Sequence, residues 1–254
     1  MKNQYVGDIG DYGKYGLLRF LANQGIRIGI NWYLTEDDGS TDGKFINYLK
    51  KPVERVYDPE LYDLLTGIAN RPDKTVGMIK DAGIIPGADY YSEVLKSKNL
   101  DADLRERSRH LWFNNSMLLL RDVKLVFADP DNGISYRKTA RTKDSEKYIL
   151  PGEVAKYYGS RKDVIYYCHK GRRRQEDWEQ AKTEIRGHIR DAQLLAVTSH
   201  RGTQRSYIFV VHPDQYLRYK MFLDDFLKSA WGRMFTWECI EGNTAFLQVS
   251  KNAL

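Results

Sequence analysis

Val123-Lys-Leu-Val-Phe-Ala128 runs directly into Asp129-Pro-Asp-Asn-Gly133. The first segment is apolar apart from Lys124 and reads as the clearest buried strand in the chain. The second is the turn that leaves it. In an open α/β sheet, ligands bind beyond the carboxyl ends of the strands, so a carboxylate held there by a following proline points into a crevice. An Asp-Pro turn closed by Asn-Gly explains the same residues structurally. Placement after the most buried strand favours the functional reading. Asp129 and Asp131, with Asn132 beside them, are suited to holding a nucleobase edge, a water nucleophile or a divalent cation.

Outward from this strand, helical and extended patterns alternate. Upstream, Tyr12, Tyr15, Leu17, Leu18 and Leu21 have helical spacing, which predicts a helix over 11–24 stopped by Gly25. A buried strand is predicted over 26–34, then a polar loop over 35–43. Helices follow over 44–50 and 58–69, the latter with Asp58 and Pro59 as cap pair. A short strand over 75–79 and a long helix over 101–119 complete the upstream half. Downstream come a Lys/Arg-rich loop (137–147), a helix over 151–158, a strand over 163–168 and a helix over 173–190. Strands over 193–198 and 206–211 and a helix over 213–229 follow. A final pair, 235–240 and 244–249, turns at Glu241-Gly-Asn243. The alternation predicts a single α/β domain over 1–254, with a helical insertion around 44–120. Its sheet is mostly parallel and flanked by helices, with antiparallel strands near the C-terminus. The loops at 35–43, 129–147, 169–174 and 199–205 then meet on one rim.

The 254 residues carry 40 Lys+Arg against 34 Asp+Glu, a formal charge of +6, and 42% are hydrophobic. This composition excludes a disordered chain. No apolar run approaches the roughly 20 residues of a membrane span, and Met1-Lys-Asn-Gln-Tyr5 has no signal-peptide core, so a cytoplasmic protein without a membrane partner is expected. Cys168 and Cys239 form no CxxC pair, which excludes a disulfide framework and a cysteine-rich zinc site. His110, His169, His188, His200 and His212 show neither HxH nor HExxH spacing; no metal site is expected. Walker A and GxSxG motifs are absent.

Three further clusters carry chemistry. Gly7-Asp-Ile-Gly-Asp-Tyr-Gly-Lys-Tyr15 enters a helix with Asp8 and Asp11 at its positive end and Lys14 three residues on. Capping and an intrahelical ion pair explain it structurally; alternatively, the segment orients Lys14 towards a phosphate or a catalytic carboxylate. Glu36-Asp-Asp-Gly39, with Asp42-Gly43 behind it, reads first as a solvated turn, with metal or ribose binding as the other option. Basic runs follow three strands: Arg137, Lys138, Arg141 and Lys143; His169-Lys-Gly-Arg-Arg-Arg174; and His200-Arg-Gly-Thr-Gln-Arg205. Singly these are solvated faces. Together on one rim, Lys170, Arg172, Arg201 and Arg205 would neutralise phosphates while Tyr136, Tyr166 and Tyr167 stack bases or pack the core. His169 and His200 are candidate acids or bases, or structural residues. Trp231, Phe235 and Trp237 read as core.

On these motifs the chain resembles the adenine-N6 methyltransferases that modify large-subunit ribosomal RNA. That family opens with Gly-Asn-x-x-Asp-x-x-Lys-His entering a helix. Gly7, Asp11 and Lys14 match, with Asp8 in place of Asn and Tyr15 in place of His. It carries Asp-Pro-Pro-aromatic after a central strand. Asp129 and Pro130 match, while Asp131 and Asn132 depart. The order of later elements is also similar: the strand ending at Tyr166-Tyr167, another strand, the Arg201-Gly202 turn and an antiparallel strand. The resemblance implies a Rossmann-like, methyltransferase-type sheet, S-adenosylmethionine as cofactor and a flipped base as substrate. Two departures bear on activity. Tyr33-Leu-Thr-Glu-Asp-Asp-Gly39 stands where the family has a glycine-rich cofactor loop, and Asp131-Asn132 removes the base-stacking ring.

The resulting expectation is a nucleic-acid hydrolase on a methyltransferase-like scaffold, most specifically a DNA glycosylase attacking an extruded base, modified or not, without a cofactor. A role in defence against phage would suit such an enzyme. The assigned catalytic group is Asp129, Asp131, Asp8, Asp11 and Lys14. The assigned substrate-binding group is Asn132, Tyr15, Tyr136, His169, Lys170, Arg172, His200, Arg201 and Arg205. Alternatives are an S-adenosylmethionine-dependent adenine methyltransferase, a metal-dependent nuclease and a non-catalytic nucleic-acid-binding protein.

Overall fold

The structure is a computed structural model and describes residues 1–37, 39, 45–169, 171 and 174–240. Among the described residues seven strands form one sheet: β1 (Ile28–Asn31), β2 (Asp89–Tyr91), β3 (Leu125–Ala128), β4 (Asp163–His169), β5 (Gln193–Ser199), β6 (Arg205–Val211) and β7 (Phe235–Trp237). Their order is β2-β1-β3-β4-β6-β5-β7. Pairings across β2-β1-β3-β4 are parallel; those of β6 with β4 and β5, and of β7 with β5, are antiparallel. The fold is therefore a mixed α/β sheet, partly parallel, with helices on both faces.

Alternation along each strand splits the core in two. Ile28, Ile30, Leu125, Phe127, Ile165 and Phe209 face α1 (Ile9–Asn23), α2 (Pro59–Ala69) and, further along the chain, α7 (Tyr216–Lys228). Val126, Ala128, Val164, Tyr166, Ile208 and Val210 face α4 (Ala102–Leu119), α5 (Pro151–Gly159) and α6 (Gln175–Thr183). Each large side chain so buried contributes about 1.5–3 kcal/mol, which is why strands covered on both faces read as unbroken apolar runs.

Helix α1 begins where Asp8 accepts a hydrogen bond from the Asp11 N–H at 2.9 Å. It carries glycines despite their cost of about 1 kcal/mol each in a helix, because the chain packs on it closely. A Cβ at Gly16 would meet the Trp231 ring at 2.2 Å, and one at Gly10 would meet the Arg205 guanidinium at 2.5 Å. Helix α2 starts at the Asp58 cap, whose side chain accepts from the Leu61 N–H at 3.0 Å.

Several elements differ from the sequence reading. Residues 75–79 are not a strand but enter helix α3 (Val76–Asp81), whose buried residues Val76 and Ile79 sit three apart. The strand predicted over 26–34 pairs only over β1, since Tyr33 takes a φ of 45° and turns the chain out of the sheet. Strand β2 had no sequence signal. The helix expected over 44–50 is a 3-10 turn at Asn47–Lys50, and that over 173–190 ends as α6, with a 3-10 turn at Glu184–Gly187. Residues 238–240 lie beyond β7. The strand over 244–249 and its turn at 241–243 lie outside the described residues. Among the described residues no helix is long and apolar enough to cross a membrane.

Candidate functional site

The sheet order reverses between β1 and β3: the chain passes from β1 outward to β2, then returns to β3 on the other side. A crevice at such a switch point, beyond the carboxyl ends, is where α/β sheets bind ligands. A cleft of about 430 Å³ opens there, within the roughly 300–1,000 Å³ range of small-molecule sites. Asp129, Pro130, Asp131 and Asn132 form one wall, and Asp8, Gly10, Asp11 and Lys14 form another. Tyr167, His169, Thr203 and Arg205 close it from β4 and β6.

The Asp129 loop is fixed by its backbone. The Asp129 N–H donates to the Asn31 carbonyl at 2.9 Å, carrying the parallel ladder one residue past β3, and the Asn132 N–H donates to the Lys147 carbonyl at 2.9 Å. Gly133 closes the loop with φ 83°, and a Cβ there would lie 2.6 Å from Cys168 Sγ. Only glycine satisfies both the left-handed backbone and that approach.

Lys14 Nζ lies 2.6 Å from Asp11 Oδ1 and 2.7 Å from Asp129 Oδ2, all three side chains being buried. Tyr15 and the Gly7 N–H donate to Asp11 Oδ2 at 3.2 and 2.9 Å. Asp131 Oδ1 is 2.6 Å from the Met1 amino nitrogen, which also donates to the Asp129 carbonyl at 3.0 Å. Arg205 reaches Asp8 at 3.5 Å. Four carboxylates against Lys14, Arg205 and the Met1 amine leave a negative excess, the condition under which a carboxyl retains its proton. Burial pushes the Asp129 carboxyl up against the pull of Lys14, and burial and Asp11 push Asp8 up against Arg205. Burial opposes the charge on Lys14, but Asp11 and Asp129 outweigh it and hold it above its ordinary value. Lys14 is thus a fixed cation and not a nucleophile. Among the described residues no group of three or more His, Cys, Asp or Glu side chains is placed to share a metal ion.

The structure brings Asp8, Asp11, Lys14, Asp129, Asp131, Asn132, His169 and Arg205 to the one cleft. It places others elsewhere. Tyr15 is fully buried beneath the cleft, edge-on to Trp32. Tyr136 lines a different cavity, near Asp177 at 3.5 Å. His200 bonds Thr236 Oγ1 at 2.7 Å and does not line the cleft. Arg201 is paired with Glu54, away from the lining, so it is not positioned as a phosphate contact there. The basic run after β3 also turns away: Arg137 pairs with Asp177, and Arg141 with Asp103 and Glu106. Tyr166 packs in the core, while Tyr167 reaches the cleft. Lys170, Arg172, Asp38 and Asp42 lie outside the described residues.

No protein-family model matches this chain, and no curated protein does. Among solved structures it is similar to the crystal structure of protein LPL1258 from Legionella pneumophila, described under the family model DUF519. The two are 10% identical, over 96% of this chain and 98% of that chain, with a TM-score of 0.49.

Sequence reasoning missed Met1, Lys2, Tyr5, Phe45 and Lys147 as lining residues. Residues 1–5 form only a 3-10 turn at Asn3–Tyr5, with no periodic pattern to mark it. Thr35 Oγ1, 3.4 Å from the Met1 carbonyl and 3.5 Å from Asp131 Oδ2, ties this segment to the Asp129 loop, a contact that sequence spacing does not show.

Proposed function

We propose that the cleft is the active site of a nucleic-acid hydrolase of the DNA glycosylase type, acting on a base extruded from the duplex. The observation that carries this reading is the gathering of Asp129, Asp131 and Asp8 around one ligand-sized cleft that has Arg205 at its edge. Hydrolysis of the C1′–N bond needs an anionic wall against the charge that develops on the sugar, a base for water and a proton for the departing nucleobase. Asp129, locked by Lys14, supplies the wall. Asp131 takes the proton of the attacking water as its oxygen bonds C1′. Asp8, its carboxyl pushed up by burial, gives a proton to the base as the bonding pair leaves with it. Asn132 faces the base edge and Arg205 a flanking phosphate.

The scaffold reading is methyltransferase-like. It is supported by the parallel set β2-β1-β3-β4, the antiparallel β6 and β7, and the Asp-Pro turn after β3. The segment after β1 favours hydrolysis over methyl transfer. Trp32, Tyr33 and Leu34 stand there in place of a glycine-rich turn, Trp32 and Leu34 packed in the core on one face of the sheet and Tyr33 in that on the other. The absence of a glycine-rich turn after β1, with Glu36 and Asp37 following, is what favours a reaction without S-adenosylmethionine.

The test is abasic-site counting on plain and base-modified DNA with Asp131→Asn and Asp129→Asn. Loss of activity by about 100-fold or more in the folded Asp131→Asn variant is expected. Unchanged activity in both variants removes the mechanism. Loss of wild-type activity in chelator would favour a metal-dependent nuclease instead.

A further inference from the structure

At the opposite end of the sheet a second cleft, of about 300 Å³, lies between the starts of β3 and β4 and the first turn of α7. Its floor is a fixed histidine. Asp163 Oδ1 accepts from the His212 backbone N–H at 2.8 Å and meets Nδ1 of the same residue at 2.9 Å. A carboxylate oxygen only accepts hydrogen bonds, so the ring Nδ1–H is the donor, and Nε2 stands on the side away from Asp163. Tyr158 stacks on the imidazole, centroids 3.8 Å apart and planes 8° from parallel, so the ring cannot turn.

Three cations surround this dyad: Lys124, Arg161 and Arg218. None makes a salt bridge among the described residues, although Asp214 lies in the same cleft and bonds Gln215 at 3.0 Å. With Asp163 and Asp214 counted, the cleft keeps a positive excess even when His212 is neutral. Arg161 has a positive φ, at 59°. It is the left-handed residue that ends α5, where the Lys162 N–H donates to the Tyr157 carbonyl at 3.3 Å, a position that glycine commonly fills. The amino end of α7, which lines the cleft through Gln215 and Arg218, adds a favourable dipole for an anion.

We propose that this cleft is a binding site for a phosphate monoester. Arg161, Lys124 and Arg218 surround the phosphoryl oxygens, and His212 Nε2 shares a proton with one of them. The site is separate from the Asp129 cleft and does not depend on the reaction assigned there.

Calorimetric titration of the full chain with inorganic phosphate, adenosine 5′-monophosphate and a 5′-phosphorylated oligonucleotide tests it. Millimolar or tighter binding of inorganic phosphate and of the monophosphate is expected. Arg161→Gly is the decisive variant, because glycine suits the backbone there and the fold is retained. It should weaken binding by about tenfold or more, the worth of one charge-assisted contact. Arg141→Ala, paired with Asp103 and Glu106 and lining neither cleft, should leave binding intact. Tighter binding of the oligonucleotide only when it bears the 5′-phosphate would assign a nucleic-acid end as the source, and equal binding of all three a free phosphoryl group. Absence of phosphate binding, an unaffected Arg161→Gly protein, loss through Arg141→Ala or equal binding of the unphosphorylated oligonucleotide would each overturn the proposal.

Discussion

Replacing Lys14 by methionine keeps much of the side-chain bulk but leaves Asp11 and Asp129 buried without their shared cation. Breaking a buried ion pair on one side costs about 3–5 kcal/mol, so Lys14→Met should lower the urea midpoint strongly; a change under about 1 kcal/mol would show that the pair is not load-sharing in solution. Asp8 gives a pH dependence. Its folded value is raised above 3.8, mainly by burial. Between those two values the folded state holds a proton that the unfolded chain has released, so its contribution to stability declines as pH rises through that window. Asp8→Asn should flatten this decline in urea midpoints measured from about pH 4 upward. At this scale Asp129 and Asp131 were legible, because an Asp-Pro turn after a buried strand has few places to point. Lys14 was legible as a cation turned towards a phosphate or a carboxylate, but sequence spacing shows only its Asp11 partner and not Asp129, 115 positions away.

The elements found from sequence are the helices with clear spacing or caps, α1, α2, α4, α5 and α7, and the strands that read as apolar runs, β3 to β6. Elements without such a signal were missed. The Thr-Val-Gly-Met-Ile stretch at 75–79 has β-rich composition, yet burial of Val76 and Ile79 on one side decides for helix. The three residues of β2 leave no pattern to count. The glycines of α1 argue against a helix by propensity and are explained only by tertiary approach. Gly16→Ala tests that explanation. Propensity predicts stabilisation, whereas overlap with the Trp231 ring predicts a loss of about 1–3 kcal/mol. A higher melting temperature in this variant would contradict the packing account.

Across the whole molecule, the sheet gathers residues from the N-terminal helix, from the end of β3 and from the β4–β6 edge, while ion pairing withdraws the exposed arginines that sequence alone added to them. Net charge +6 is therefore a poor guide to the contact surface. If Arg205 touches a phosphate, its replacement by alanine should reduce the slope of log affinity for DNA against log salt by about one unit, whereas Arg141→Ala, already paired on the far side, should leave it unchanged. The central claim concerns products. Mass spectrometry after incubation with plain and base-modified DNA, with and without Mg²⁺, chelator and S-adenosylmethionine, tests it most directly. The account predicts free nucleobase and abasic DNA, indifferent to chelator and to S-adenosylmethionine and lost in Asp131→Asn. Methylated adenine, chelator-sensitive strand cleavage or intact DNA under every condition would contradict it.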